Sequence, residues 1–273
     1  MSSVTVSGSE QIATAFERAA GEDRAALIVY LTACFPDPVT SRACFEAAVE
    51  AGADILEIGI PFSDPMMDGP IIQQANQHVL DAGTSVGEQL DLVRSLDHLE
   101  VPKVVMTYVT IADTRGYAAF ADELADAGLA GVILPDLPVP EADAWLIEAR
   151  RRDLATVFLA SSISTDDRLA AIGAVSSGWV YATGLLGVTG VKSVAGELTR
   201  QLVGRVRAHT DLPVAVGIGV KDRVSAAEVA AYADGVIVGS AIVRAAADGD
   251  PAGAPDRVAA LVRELREGVA ARR

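Results

Sequence analysis

Short apolar runs rich in β-branched residues alternate with helix-patterned stretches along the whole chain, and no linker-like break separates them. The runs fall at 26–34, 54–60, 103–108, 131–135, 155–160, 179–183, 214–219 and 235–239, eight in all. Helical patterns lie between them at 41–51, 69–82, 85–96, 117–127, 141–152, 165–172, 198–208 and 223–232, with one more at 255–271 and one at 10–20 ahead of the first run. Strand, crossover helix and parallel strand make a right-handed βα unit, and such units in series curve a sheet onto itself. Eight of them close most naturally into an α/β fold of the (β/α)8 barrel type spanning 1–273 as one domain, with an extra N-terminal helix; an open doubly wound sheet is the other arrangement. The length of 273 residues agrees, since such barrels commonly run to about 250. In a barrel the chemistry belongs at the C-terminal ends of the strands, which says where to look for functional side chains.

Composition narrows the partners. The chain has 22 Lys and Arg against 37 Asp and Glu, a net charge of −15, which works against binding nucleic acid or an anionic membrane and points to a small substrate. Two cysteines, Cys34 and Cys44, without a CxxC motif or a histidine cluster, support neither a disulfide framework nor a zinc site, and are expected to be reduced core residues. His78, His98 and His209 fall on helices and loops rather than strand ends, so no metal or histidine-centred triad is expected. Residues 1–11 lack an apolar signal core and no run of 18 apolar residues occurs, so a cytoplasmic protein is expected.

The second strand carries an anomaly. Ile55, Leu56, Ile58 and Ile60 are apolar on both faces, as in a parallel sheet covered by helices, yet Glu57 stands among them. A buried, unpaired carboxyl takes up a proton more readily, which moves its pKa toward the range useful for acid–base work. The competing reading has Glu57 paired with a buried arginine or capping a neighbouring loop. The loop that follows, through Asp64 and Asp68, brings further carboxylates. Glycines gather after the last three strands: Gly184, Gly187 and Gly190 after the sixth, Gly217 and Gly219 after the seventh, Gly239 followed by Ser240 after the eighth. Together they favour a phosphate site made of backbone N–H groups, a helix N-terminus and the Ser240 hydroxyl, with no basic residue until Lys221 and Arg223, which are expected to start the next helix. Gly217-x-Gly219 is not a dinucleotide fingerprint, because Asp222 stands where a third glycine belongs. Residues 161–165 read as a helix-capping loop. Tyr181 lies within the sixth strand, where a phenol pointing into the barrel near Glu57 would position a carboxylate.

Glu57-Ile58-Gly59-Ile60-Pro61-Phe62-Ser63-Asp64-Pro65 with Asp68-Gly69-Pro70 resembles the signature of the tryptophan synthase α-subunit family, and Gly187-Val188-Thr189-Gly190 resembles its sixth-strand loop. The resemblance extends through Pro135-Asp136-Leu137-Pro138, Gly217-Ile218-Gly219 and Gly239-Ser240-Ala241 and covers nearly the whole chain. It implies a TIM barrel that cleaves indole-3-glycerol phosphate to indole and glyceraldehyde 3-phosphate. Glu57 and Asp68 would be the catalytic pair and Tyr181 and Thr189 their supports. Tyr108, Gly190, Gly219, Gly239 and Ser240 would lie against the substrate, the glycines and Ser240 at its phosphate. The scheme requires no cofactor, whether metal, nucleotide or Schiff base.

The resemblance also implies a β subunit facing the loops after strands two, three and six. There the chain departs from the family pattern, with Met66-Met67 after Pro65, no Asn-Pro after Tyr108, and Thr183-Gly184-Leu185-Leu186 ahead of Gly187. A stand-alone lyase that releases free indole is therefore the alternative to a subunit.

Overall fold

The chain's structure, a computed structural model, describes residues 6–184, 192–217 and 219–270. Helix α1 (Gly8–Gly21) precedes β1 (Ala26–Thr32), α2 (Pro38–Glu50), β2 (Ile55–Gly59), α3 (Pro70–Asp81), α4 (Val86–Ser95) and β3 (Lys103–Met106). Then come α5 (Val109–Arg115), α6 (Tyr117–Asp126), β4 (Gly131–Ile133), α7 (Asp143–Arg151), β5 (Ala155–Ser161), α8 (Asp166–Val175) and β6 (Val180–Thr183). The chain ends with α9 (Lys192–Arg207), β7 (Val214–Val216), α10 (Arg223–Ala230), β8 (Gly235–Val238), α11 (Ser240–Ala247) and α12 (Ala254–Val269). The eight strands are all parallel and form a closed barrel in sequence order, β8 pairing back to β1. All eight expected strands are present and the sheet is closed rather than open.

Each strand buries two faces. Leu27, Val29 and Leu31 of β1 and Leu56 and Ile58 of β2 pack outward against the helices, while Ile28 and Ile55 join Val104, Ile133, Val157, Trp179 and Ile237 inside the barrel. Helix α1 closes the barrel from below. Its Ile12 and Phe16 belong to the interior cluster, and the Phe16 ring lies 6.1 Å from that of Trp179. A capping box, in which Ser7 and Glu10 exchange bonds, starts this helix. Cys34 and Cys44 are buried and free.

Element ends differ from the expected ones for local reasons. The first strand stops at Thr32 rather than 34, because the chain turns through Cys34 at φ +64°. Helix α2 starts at Pro38 rather than 41, with Asp37 accepting from the N–H groups of Val39 and Thr40 and proline in the first turn. The third strand ends at Met106, and α5, which the sequence pattern did not suggest, follows at once with Tyr108 as its N-terminal cap residue and the Asp136 carboxylate accepting the Val109 N–H at 2.9 Å. Among the described residues, no helix is long and apolar enough to cross a membrane.

Candidate active site

Strand register decides which side chains meet inside the barrel. Tyr30 and Glu57 are direct partners across β1 and β2, and Tyr181 of β6 faces the same interior. At the C-terminal mouth a cavity of about 600 Å³ is lined by Tyr30, Glu57, Asp68, Met106, Tyr181, Gly219, Ile237, Gly239 and Ser240, among others. Two glycines make room for the phenols. A Cβ on Gly59 would sit 2.1 Å from the Tyr30 hydroxyl, and one on Gly217 would sit 2.2 Å from the Tyr181 hydroxyl, so any larger residue would push these rings out of place.

Glu57 is buried at 1% exposure, and its Oε2 has no hydrogen-bond partner among the described residues. The paired alternative is excluded by the position of the buried arginine: Arg24 forms its ion pair with Asp54, at the opposite end of the strand, through both carboxylate oxygens. Loss of water raises the Glu57 pKa to about 8, with a further push from the Asp68 charge.

Asp68 stands on the loop between β2 and α3. Burial raises its pKa to about 6, while hydrogen bonds donated by Tyr108 and Asn76 work in the opposite direction. The Asn76 amide donates to Asp68 Oδ2 at 3.1 Å, and its own carbonyl accepts the Thr32 hydroxyl at 3.3 Å. Thr32 in turn lies 3.4 Å from the Tyr30 hydroxyl, so with its proton on Asn76 it accepts from Tyr30. Tyr30, Thr32 and Asn76 thus form a polar relay from strand β1 through helix α3 to Asp68. Pattern reading missed all three, since none stands out from its own segment and residues 32 and 76 meet only in the folded barrel.

The other expected residues sort as follows. Tyr181 lies in the cavity, its phenol held un-ionised by burial and by the Glu57 and Asp68 charges. Tyr108 is buried behind the Asp68 loop, where it accepts the Met67 N–H at 3.0 Å and stacks on Phe62 at 5.1 Å between ring centres; its link to the site runs through Asp68. Gly219, at φ +63°, Gly239 and Ser240 at the start of α11 line the wall of the cavity. Thr189 and Gly190 lie outside the described residues. Lys221, expected in the next helix, lies instead on the connector before it and lines the cavity, as does Arg244. His78, His98 and His209 line none of it. Among the described residues, no group of three or more His, Cys, Asp or Glu side chains is placed to hold a metal ion.

Two carboxyl groups whose ionisation is pushed apart share this cavity with two phenols, Tyr30 and Tyr181. That set supports proton transfer to and from a carbon acid, with charge stabilisation by the carboxylate that ionises first.

Comparisons with known proteins agree on one family. The family model described as tryptophan synthase alpha chain matches residues 16–270. The tryptophan synthase alpha chain of Streptomyces avermitilis is 47% identical over 253 residues, 92% of this chain and 91% of its own. That of Mycobacterium tuberculosis is 43% identical over 269 residues, 98% of each. A chain in a structure of Mycobacterium tuberculosis tryptophan synthase superposes with a TM-score of 0.87 at 44% identity, covering 94% of this chain and 97% of that one. The alpha subunit of Legionella pneumophila superposes at 0.86 with 30% identity, covering 97% and 99%.

Proposed function

The chain belongs to the tryptophan synthase alpha chain family, and from that premise we propose that Glu57 and Asp68 carry out its retro-aldol cleavage of indole-3-glycerol phosphate to indole and glyceraldehyde 3-phosphate. This is a carbon–carbon lyase reaction of tryptophan biosynthesis, and we place it in the cytoplasm. The observation that carries the assignment is the buried Glu57 carboxyl, its Oε2 without a hydrogen-bond partner among the described residues, in one cavity with Asp68. Near neutral pH Glu57, with a pKa of about 8, holds a proton, while Asp68, at about 6, is mostly charged.

The indole carbon leaves poorly until C3 is protonated. Glu57 gives that proton, and the positive charge that develops on the ring nitrogen is stabilised by Asp68 accepting the indole N–H. The resulting Glu57 carboxylate helps remove the proton of the side-chain hydroxyl as the carbonyl forms. The electrons of the breaking carbon–carbon bond return to the ring, which regains aromaticity. The net proton movement is from hydroxyl to C3. Tyr181 packs beside Glu57, and Gly219, Gly239 and Ser240 take the phosphate, the last two where a helix N-terminus adds a favourable field.

A β subunit is the partner we propose. Met66, on the loop after β2 that the family resemblance turns toward that subunit, is 81% exposed. Purified protein given indole-3-glycerol phosphate should release indole, and a β subunit from the same source should raise the turnover strongly. No indole with or without β would overturn the reaction. Turnover of about one per second or faster without β, and no complex on gel filtration, would favour the stand-alone lyase instead.

The pH profile of kcat/KM for the free protein should be a bell. Below about 6 Asp68 takes up a proton and loses its charge, and above about 8 Glu57 loses the proton it must give. A flat profile between pH 5 and 9 would contradict both roles. Asn76→Leu should move the acidic limb to higher pH, because removing a donor to Asp68 makes its charged form harder to hold. Activity should fall several-fold at pH 6 and little near 7.5, and thermal melts should show a loss of roughly 1–3 kcal/mol from the stranded Thr32 hydroxyl.

A further inference from the structure

The glycine-rich end of the cavity supplies only neutral donors, yet two cations stand at its rim. Lys221 is kept out of α10 by the cap that starts the helix. Asp222 accepts the Ser225 N–H at 2.8 Å, and the Ser225 hydroxyl accepts the N–H of Lys221 at 3.0 Å. The Lys221 backbone is thereby fixed two residues beyond Gly219, and the residue forms part of the cavity lining. Arg223, one step into the helix, turns the other way toward Glu267.

Arg244 arrives from a second element. Ser240, Ala241, Arg244 and Ala245 line the cavity along one stripe of helix α11, with Asp248 just past its end, and Arg244 lies one turn beyond Ser240, about 6 Å along the axis. Lys221 and Arg244 are exposed, and among the described residues neither makes an ion pair, whereas Arg223, two residues beyond Lys221, is paired with Glu267. Asp248, the carboxylate that follows the helix, also lines the cavity. A chain of net charge −15 repels an approaching dianion overall.

We propose that Lys221 and Arg244 form a cationic rim that draws a phosphate monoester dianion into this cavity and holds it against Gly219 and Ser240. The inference rests on the reading above and adds the residues that select a charged substrate over an uncharged one. Exposed cations in water act moderately, chiefly on capture, and their effect is screened by salt.

Lys221→Gln, Arg244→Gln and the double variant should be assayed in the full chain, with β subunit present, for kcat and KM on indole-3-glycerol phosphate. Glycerol phosphate binding should be followed by calorimetry across a salt series. Each single change should raise KM roughly 2- to 5-fold with kcat within about twofold. The double variant should compound the two and flatten the salt dependence of kcat/KM, while Arg244→Lys should retain most of the affinity. Unchanged KM, glycerol phosphate affinity and salt slope in the double variant would overturn the rim while leaving the lyase reading intact. A parent protein that releases no indole but loses glycerol phosphate affinity in the double variant would keep the rim and refute the lyase. A parent that does not bind glycerol phosphate would overturn the rim.

Discussion

Glu57→Gln is expected to leave the barrel folded and reduce indole release by about 10² to 10⁴, the range in which a general acid–base group contributes. Glutamine keeps the shape of the protonated carboxyl and cannot give or take the proton. The same change should alter stability, with a sign that identifies the group. The Glu57 pKa lies at about 8 in the folded chain, against an ordinary value of 4.5. In that interval the folded state holds a proton that the unfolded state has released, so the stability this group contributes is complete below 4.5 and is lost as pH rises to about 8. The slope is about 1.4 kcal/mol per pH unit for one proton. The variant lacks this term. Its melting temperature should exceed the parent's by a margin that grows from pH 5 to pH 8 and then levels off. Parallel melting curves, or a variant with native circular dichroism and more than a tenth of the parent's turnover, would place the acid elsewhere.

The contrast between Glu57 and its neighbours shows what a linear pattern can and cannot reveal. A carboxylate inside an apolar strand violates its local surroundings, so Glu57 stood out without the fold. The eight strands did so as well, because alternation with helices repeats the same signal along the chain. Tyr30, Thr32 and Asn76 violate nothing locally: a tyrosine and a threonine suit a strand, and an asparagine on a helix is unremarkable until helix α3 swings it onto Asp68. Their meaning lies in the contact between positions 32 and 76, which only barrel closure creates. Lys221 was misplaced for a related reason. Asp222 and Ser225 form a capping box with an Asp-x-x-Ser spacing, which moves the helix start past the lysine and leaves it in the lining of the cavity. Ends of elements are settled by such caps, and their side chains compete with the apolar pattern that locates the middles.

Asp68→Asn should lower turnover by about 10² to 10³, the loss expected when one preorganised stabiliser of developing charge is removed. The amide is nearly isosteric, so the loss reads charge more than shape. It also disturbs the relay, since the Tyr108 hydroxyl and the Asn76 amide both donate to Asp68 and an Asn side chain offers one acceptor oxygen where the carboxylate offers two. The distinguishing measurement is the pH profile of the activity that remains. The Asp68 charge is part of what raises Glu57, so its removal makes the Glu57 carboxylate easier to form and its pKa falls below about 8. The alkaline limb of the variant should therefore move to lower pH, while the acidic limb assigned to Asp68 should vanish. A merely structural role would lower the whole bell without moving either side. Full activity in Asp68→Asn, or an alkaline limb that stays in place, would show that Asp68 neither stabilises the ring nor acts on Glu57, and the pairing of the two carboxyl groups would fall.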